Sequence, residues 1–384
     1  MNNYRYLIFT GANERAVIAL CRYMVSKNIL FSLIARPGED KLKLTRYKKF
    51  IQSVRKYDQL DLMDMMLCIA EVKSRFPNDV LVYVPSAESI NRMILTHRQN
   101  FQDTGLKITL CDEEIYIKIS NKETFIKLTH EYGISSPPEY PMHSIKNIPF
   151  VAKPFQEFSS KTGKKVYPWI ILNEFDYLHF LKNADAEDFF YQKYVDGESY
   201  YYLIQMYKNK KPIVFYQKNL LQQSNGKSII AAISCECPDR LFENRIISAL
   251  ESQAFHGSIM IEVIIETGNC WIIEANPRLW GPLQLALRLG FHPLLNDDKP
   301  LNITKTVNYP YLWINGLIEV FCKGEKPRSY FSGKLSACFF LLRFFLQDIY
   351  FHTDTWRLCF SEIISSVKSF IVKRFLKSKG DAHV

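Results

Sequence analysis

The sequence predicts a chain of mixed class, α/β followed by α+β: an N-terminal domain with a parallel sheet, two lobes with antiparallel sheets, and a helical C-terminal extension. Three observations predict this. Residues 6–36, YLIFTGANERAVIALCRYMVSKNILFSLIAR, follow the order strand, turn, helix, strand. Residues 205–235 contain apolar strands separated by polar turns, as in an antiparallel sheet. Residues 333–380 are typical of Phe-rich helices.

Length and composition predict a multi-domain chain that folds without cross-links. With 384 residues and 47% hydrophobic content, it exceeds one compact core and has ample core material. We place the domains at 1–112, 113–190, 191–310 and 311–384. The nine cysteines form no paired framework, and Cys235 and Cys237 lack a second Cys/His pair for zinc, which favours a reducing cytoplasm. The first residues run directly into a strand, so we expect no signal peptide.

The N-terminal domain continues with a second α/β unit. Residues 60–75 predict a helix. The segment DVLVYVPSAES predicts a buried strand that ends at Pro85, and residues near 87–99 predict a further helix. Because the carboxyl ends of parallel strands meet at one edge, we expect the turns at 10–14 and 85–88 to face a common crevice. Gly11-Ala12-Asn13 lacks the G-x-G-x-x-G pattern, so we expect a tight turn rather than an NAD site.

Residues 257–282, GSIMIEVIIETGNCWIIEANPRLWGP, predict an apolar hairpin that carries acidic side chains. We assign Thr267, Gly268 and Asn269 to its loop. A three-residue loop makes Glu262 and Glu274 direct cross-strand partners. Since side chains alternate along a strand, Asn276 lies on the same face as Glu274.

Two carboxylates and an amide oxygen that converge in an apolar sheet favour a divalent cation. Without one, the paired charges would be costly. Oxygen ligands favour Mg²⁺, with Mn²⁺ as a substitute, and such sites leave room for nucleotide phosphates. Glu262, Glu274 and Asn276 are the candidate ligands, and Arg278 is placed to hold a phosphate or carboxylate. A solvated sheet edge with chance acids is the alternative.

The strand that ends in E-A-N-P-R, with Glu262 one strand earlier, resembles the ATP-grasp superfamily of carboxylate ligases, with the fold found in carbamoyl phosphate synthase. The resemblance implies that 1–112 is a pre-ATP-grasp domain, that 113–190 and 191–310 are the two jaws of the nucleotide cleft, and that ATP binds between them.

The resemblance also implies nucleotide contacts. It implies two lysines that contact the phosphates: Lys153 in FVAKPF, at 150–155, and Lys122 in the helix of 119–141. The segment 189–207, FFYQKYVDGESYYYLIQMY, resembles the adenine hinge. There the implied contacts are the backbone of Tyr194 and Val195 at the purine edge, Gln192 at the exocyclic amine and Glu198 at the ribose.

The sequence departs from the pattern at several of these positions. Gln192 and Asn121 are amides where many relatives have acids, and Ser199 occupies the position where the ribose acid often lies. Segment 156–167, QEFSSKTGKKVY, is at the place of the loop that covers the phosphates but has one glycine. Its candidate contacts are Ser159, Ser160 and Gly163. A solvated Lys-rich turn is the alternative. Lys218 is a further candidate for the transferred phosphate, or an exposed strand lysine without a role.

Together, site and resemblance imply an ATP-dependent carboxylate–amine ligase that works through an acyl phosphate and releases ADP and phosphate, with Lys153 and Arg278 as catalytic residues. The expected substrates are a small carboxylate and an amine, such as an amino acid joined to a carboxylated sugar or metabolite in surface-glycan or natural-product biosynthesis. Two alternatives stay open: a nucleotide-binding regulatory protein without turnover, and an ATP-grasp enzyme that acts on a thiol or on bicarbonate.

The charge pattern bears on partners and location. The net charge of +10 is spread along the chain and suits acidic ligands, and no nucleic-acid module is evident. The basic, aromatic region 333–380 either contacts an anionic membrane or a lipid-linked acceptor, or docks on the protein body. We therefore expect a cytoplasmic protein, with peripheral attachment to the inner face of the membrane as an alternative, and leave a homodimer open.

Overall fold

The computed structural model describes residues 3–155, 159, 161–164, 166–292, 307–331 and 333–380. It confirms the predicted class, because a parallel sheet precedes two antiparallel sheets. The N-terminal sheet has the order β3-β2-β1-β4-β5 and is parallel throughout. Its strands are β1 (Tyr4–Phe9), β2 (Phe31–Ala35), β3 (Ile51–Val54), β4 (Val80–Tyr83) and β5 (Leu106–Lys107).

Four helices accompany this sheet: α1 (Glu14–Ser26), α2 (Leu62–Arg75), α3 (Glu88–Thr96) and α4 (Arg98–Asp103). Two short 3-10 helices, Lys41–Leu44 and Arg46–Phe50, connect β2 to β3. The helix predicted at 60–75 begins at Leu62, and the side chain of Asp61 before it accepts a hydrogen bond from the Asp64 N–H and so caps the helix. The buried face of α1 runs from Ala16 to Met24 and packs in one core with the large antiparallel sheet.

A four-stranded antiparallel sheet with the order β6-β9-β7-β8 forms the smaller jaw. Its strands are β6 (Glu139–Tyr140), β7 (Phe150–Pro154), β8 (Trp169–Ile171) and β9 (Phe189–Lys193). Helices α5 (Glu113–Ser120) and α6 (Lys122–Glu131) precede it, and α7 (Glu174–Asn183) covers it. Phe150, Phe180 and Tyr191 form its separate small core.

The larger jaw is a seven-stranded sheet with the order β14-β13-β10-β11-β12-β15, in which β16 also pairs with β11. Its strands are β10 (Glu198–Met206), β11 (Ile213–Gln222), β12 (Ile229–Ser234), β13 (Gly257–Glu266), β14 (Asn269–Asn276), β15 (Pro310–Leu312) and β16 (Arg328–Ser329). Alternate residues of β10 enter different cores: Tyr201 and Leu203 pack with α1, whereas Tyr202 packs against Phe242. Phe242 lies on α8 (Arg240–Ser252), which covers that second face.

The sequence predicted a helical extension over 311–384, but this region is not purely helical. After α9 (Leu283–Arg288), which precedes it, the region contains α10 (Ile314–Cys322), α11 (Lys334–Phe344), a 3-10 turn (Phe345–Gln347) and α12 (Trp356–Gly380). It also supplies β15 and β16 to the large sheet, because these short strands satisfy the free edges of β12 and β11. Two of the predicted domain boundaries, at 190/191 and 310/311, fall inside β9 and β15.

All nine cysteines are free thiols. In the described parts of the chain, no helix is both long enough and apolar enough to span a bilayer.

Candidate active site

The hairpin β13–β14 turns more tightly than the sequence predicted. Thr267 and Gly268 have positive φ values of 48° and 85°, whereas Asn269 already pairs with Glu266 in the ladder. The loop therefore has two residues, and the predicted three-residue loop is wrong. A two-residue turn with positive φ values matches the twist of the strands and so is favoured.

A β-bulge restores the register on which the candidate site depends. From the turn inwards the pairing is regular as far as Val263 with Ile272, and the next pair is Glu262 with Glu274. Ile273 is the extra residue of the bulge. The predicted pairing of Glu262 with Glu274 is confirmed, although by a bulge rather than by loop length.

The candidate metal ligands lie close together; Glu262 and Asn276 are buried, and Glu274 is half-buried. Glu262 is only 6% exposed. Asn276 Nδ2 donates a hydrogen bond to Glu274 Oε1 at 2.7 Å, and Arg278 Nη2 donates to Asn276 Oδ1 at 3.0 Å. Burial, and then the charge of Glu274, raises the pKa of Glu262 above its usual range.

This set of donors fits Mg²⁺ or Mn²⁺. The described residues contain no cluster of three His, Cys, Asp or Glu side chains, and this group has two carboxylates and an amide. Those are the oxygen ligands that such cations take, usually together with water and phosphate. Glu262, Glu274 and Asn276 would hold the cation, which would supply neutralisation of the phosphate charge.

Lys153 connects the small jaw to the bulge of the large one. Its Nζ donates to the carbonyl of Ile273 at 3.4 Å, so the bulged residue offers a carbonyl to the lysine of β7. Burial, and next the positive charge of Lys122, lowers the pKa of Lys153 to about 8, while Glu274 and Glu262 oppose that shift. Lys153 and Lys122 are thus near enough to repel each other, as two lysines on one phosphate chain would be.

The hinge segment presents an orphaned polar group. Gln192 is 1% exposed; its Nε2 lies 3.5 Å from Glu139 Oε1, and its Oε1 has no hydrogen-bond partner among the described residues. A buried, unpaired acceptor is unfavourable unless a ligand supplies a donor. The exocyclic amine of adenine is such a donor, so Gln192 fits its predicted role.

Arg328 is a residue of this hinge that the sequence analysis missed. Its Nη2 donates to the Val195 carbonyl at 3.2 Å, and its guanidinium lies 5.0 Å from the Tyr194 ring centre and 4.9 Å from that of Tyr330. It comes from β16, far along the chain, and only the strand pairing of β16 with β11 brings it to the hinge. No local pattern in the sequence indicates this.

A buried series of hydrogen-bonded polar side chains leads to Glu262, and the sequence analysis missed this as well. Gln217 Nε2 donates to Asn219 Oδ1 at 2.7 Å, Asn219 Nδ2 donates to Ser199 Oγ at 2.8 Å, and Ser199 Oγ donates to Glu262 Oε1 at 3.3 Å. All four residues are buried. The available signal was the pair of amides, Gln217 and Asn219, which lie on one face of β11 on either side of Lys218.

The predicted nucleotide contacts of Glu198 and Lys218 are not supported. In the ladder Tyr201 pairs with both Glu262 and Gln217, whereas Lys218 pairs with Tyr200. Since neighbouring residues point to opposite faces, Glu198 and Lys218 lie on the face away from Glu262. There they form an ion pair with each other. The residue on the same face as Glu262 is Ser199, next to Glu198.

The loop over the phosphates is described only in part. Ser159 Oγ accepts from the Thr162 N–H at 3.2 Å, and the Gly163 N–H donates to the Ser159 carbonyl at 3.0 Å, so both residues shape a turn. Ser160 lies outside the described residues. Lys161 pairs with Asp185 at 2.8 Å and Glu187 at 2.9 Å.

Lys122 stands at the first position of α6. Asn121, its neighbour, caps that helix by accepting hydrogen bonds from the N–H groups of Glu123 and Thr124. Asparagine suits this position as well as an aspartate would, because either side chain can cap a helix.

The N-terminal domain forms hydrogen bonds with the loop that follows β14. The Leu279 N–H donates to the Pro85 carbonyl at 3.2 Å, and Asn13 Nδ2 donates to the Leu279 carbonyl at 2.6 Å and to that of Ser86 at 3.3 Å. The turns after β1 and β4 therefore meet at the loop that carries Arg278, and the predicted crevice between them stays a prediction.

Comparison with known structures defines the class of the fold. Proteins with the ATP-grasp fold share this arrangement, and the chain has that fold. A biotin carboxylase from Campylobacter jejuni matches with a TM-score of 0.53 and 12% identity over 80% of this chain and 74% of that one. An N5-carboxyaminoimidazole ribonucleotide synthetase in complex with ADP matches with a TM-score of 0.51 and 15% identity over 72% and 71%.

A third structure, N5-carboxyaminoimidazole synthetase from Staphylococcus aureus complexed with ADP, matches with a TM-score of 0.50 and 14% identity, over 72% of this chain and 71% of that one. No family model and no curated protein sequence matches the chain.

Proposed function

We propose that this chain is an ATP-dependent ligase that joins a carboxylate to an amine through an acyl phosphate. The observation that carries the proposal is the pairing of the buried Glu262 with the half-buried Glu274, beside Asn276 and within reach of Lys153 through the bulge. An uncompensated acid pair there would be unfavourable, and a nucleotide-bound Mg²⁺ removes the conflict.

The bond changes follow from the chemistry of carboxylates. A carboxylate oxygen attacks the γ-phosphorus of ATP and the bond to ADP breaks. The amine nitrogen then attacks the carbonyl carbon, phosphate leaves with that oxygen, and the nitrogen loses a proton to solvent. Lys153 and Lys122 would hold the phosphates, and Arg278 would bind the substrate carboxylate or the phosphoryl group. We assign the acceptor side to the crevice beside Asn13 and Ser86.

The experiment uses oxygen labelling. The purified chain is incubated with Mg-ATP and pools of amines and of carboxylic acids labelled with ¹⁸O, and ADP, new amide masses and labelled phosphate are measured. ADP that forms only with a matched pair, together with one ¹⁸O in the released phosphate, supports the ligase. Tight ATP binding without turnover in every pool would instead support a nucleotide-binding regulatory protein.

A second candidate is carboxylation, in which bicarbonate takes the place of the organic acid. The names of the matched structures, biotin carboxylase and N5-carboxyaminoimidazole synthetase, favour it. Removal of bicarbonate from the assay separates the two: ADP release that stops without bicarbonate, with label from bicarbonate in the product, supports carboxylation. The surface-glycan or natural-product role is a narrower part of the first proposal, which acids and amines from such pathways would test.

A further inference from the structure

Helix α11 exposes a continuous apolar stripe. Leu335, Phe339 and Leu342 recur at helical spacing and are 88%, 64% and 81% exposed, and Leu346 in the following turn is 73% exposed. The opposite side of the helix is its packing side, because Phe340 is buried and contacts Phe331 and Phe344. The stripe is therefore additional to what the fold needs.

Helix α12 repeats this pattern. Leu358 and Cys359 anchor its first turn in the core, whereas Trp356, Phe360, Ile364, Val367 and Ile371 follow one another at intervals of three or four residues and are exposed. Beyond Ile363 nearly every residue as far as Val372 is exposed, so the helix leaves the protein body.

The charge around these stripes has one sign. Residues 334–347 contain Lys334 and Arg343 and no acid. The one acid of α12, Glu362, pairs with Lys41 of the protein body at 3.2 Å.

A cationic depression adjoins the start of α12. Trp356 and Arg357 line it together with Lys43, Arg46 and Lys48 from the two 3-10 helices. One acid, Asp354, also lines the depression. Its negative charge is compensated by an ion pair with Arg22 at 2.8 Å.

We propose that the exposed stripes of α11 and α12, with these cations, bind the interfacial region of an anionic phospholipid bilayer. Apolar side chains enter the boundary between head groups and acyl chains, while lysines and arginines contact lipid phosphates. A second copy of the chain is a poorer occupant, because a symmetric contact would bring Lys334 and Arg343 near their own equivalents without acids to pair them.

Vesicle sedimentation of the full chain tests this surface. Binding to phosphatidylcholine vesicles that contain phosphatidylglycerol is expected, with much weaker binding to phosphatidylcholine alone. The triple variant Leu335→Ser/Phe339→Ser/Leu342→Ser should lose at least about tenfold in partitioning, because its apolar contacts are removed. The matched control is Leu172→Ser/Phe175→Ser/Leu178→Ser, which alters exposed apolar residues beside and on α7 and should bind as the wild type does.

Charge reversal provides the second arm. Lys334→Glu/Arg343→Glu should reduce binding about tenfold, whereas Lys146→Glu/Lys182→Glu, with the same change in net charge at the small jaw, should leave it unchanged. Equal binding to both vesicle types, or wild-type binding by the triple variant of α11, would overturn the proposal. So would a lipid-free dimer that the same triple variant dissociates in sedimentation equilibrium. Unchanged thermal unfolding of each variant shows that its fold is intact.

Discussion

Glu262, which is buried, and Glu274, which is half-buried, place two acidic side chains on one face of the sheet. Burial and mutual repulsion raise the pKa of Glu262, so the site favours either a proton or a cation. The hydrogen bond from Asn276 to Glu274, and that from Ser199 to Glu262, hold the two carboxyl groups without neutralising them. At the level of single residues, this arrangement supports the proposed binding of a divalent ion.

The substitution Glu274→Gln should lower turnover by about a thousandfold, because it removes one charge from the metal and phosphate site. The shape of the side chain is kept, so thermal unfolding should change little. ADP release with an identified substrate pair measures the effect. Glu236→Gln, at an exposed acid outside the site, is the control. Full activity of Glu274→Gln would refute the metal assignment.

Lys153 predicts a pH dependence of nucleotide binding. Its pKa of about 8 means that the free protein loses this charge as the pH rises through that value. Bound phosphates favour the protonated amine, so the Kd for ATP should rise by up to about tenfold for each pH unit above 8. Calorimetric titrations from about pH 7 to about pH 9.5 measure it. In Lys153→Arg the Kd should rise less steeply with pH, and a wild-type profile no steeper than that of the variant would contradict the assignment.

Gln192 predicts a preference for adenine. If its unpaired Oε1 accepts a hydrogen bond from the exocyclic amine, ATP should bind better than ITP, which has a carbonyl there. Gln192→Leu should reduce that preference by about tenfold. Competition binding with both nucleotides measures it. An unaltered ratio in the variant would show that the hinge does not recognise the base in this way.

At the level of elements, β10 must approach β13 closely just after the hinge. A Cβ on Gly197 would lie 2.2 Å from the backbone oxygen of Ile265, which leaves no room for any side chain. Gly197→Ala should therefore destabilise the protein by about 1–3 kcal/mol and weaken ATP binding through the displaced hinge. Gly333→Ala, where the backbone is extended and the space is open, is the control. Thermal unfolding and ATP titration distinguish them, and equal behaviour would refute the constraint.

The hairpin illustrates what local sequence can predict. Apolar runs around Thr267 and Gly268 indicate a turn, and alternation brings the acids to one face, so the acid pair was predictable. The loop length was not predictable. The turn has one residue fewer than predicted, and the extra residue of the bulge, Ile273, compensates for it, so the same two acids still pair. The assignment of Glu198 to the ribose depended on the nearest acid to the position that Ser199 occupies. The ladder of β10 places Glu198 on the face away from Glu262 and Ser199 on the same face as Glu262.

At the level of the whole molecule, all three sheets contribute to the candidate active site. The N-terminal sheet holds the loop after β14 through Asn13 and Pro85, the small jaw supplies Lys153, and the large jaw supplies the acid pair. The order of these parts was predictable, because each has its own periodicity. The contact of Arg328 with the hinge was not, since it depends on the pairing of β16 with a strand more than a hundred residues earlier.

The most direct test of the account is a crystal structure with Mn²⁺ and a non-hydrolysable ATP analogue, in which anomalous scattering locates the metal. The account predicts a peak between the carboxylates of Glu262 and Glu274, next to Asn276, with the phosphates at Lys153 and adenine at Gln192. A nucleotide bound elsewhere, or those carboxylates turned away from the metal and in contact only with solvent, would contradict it.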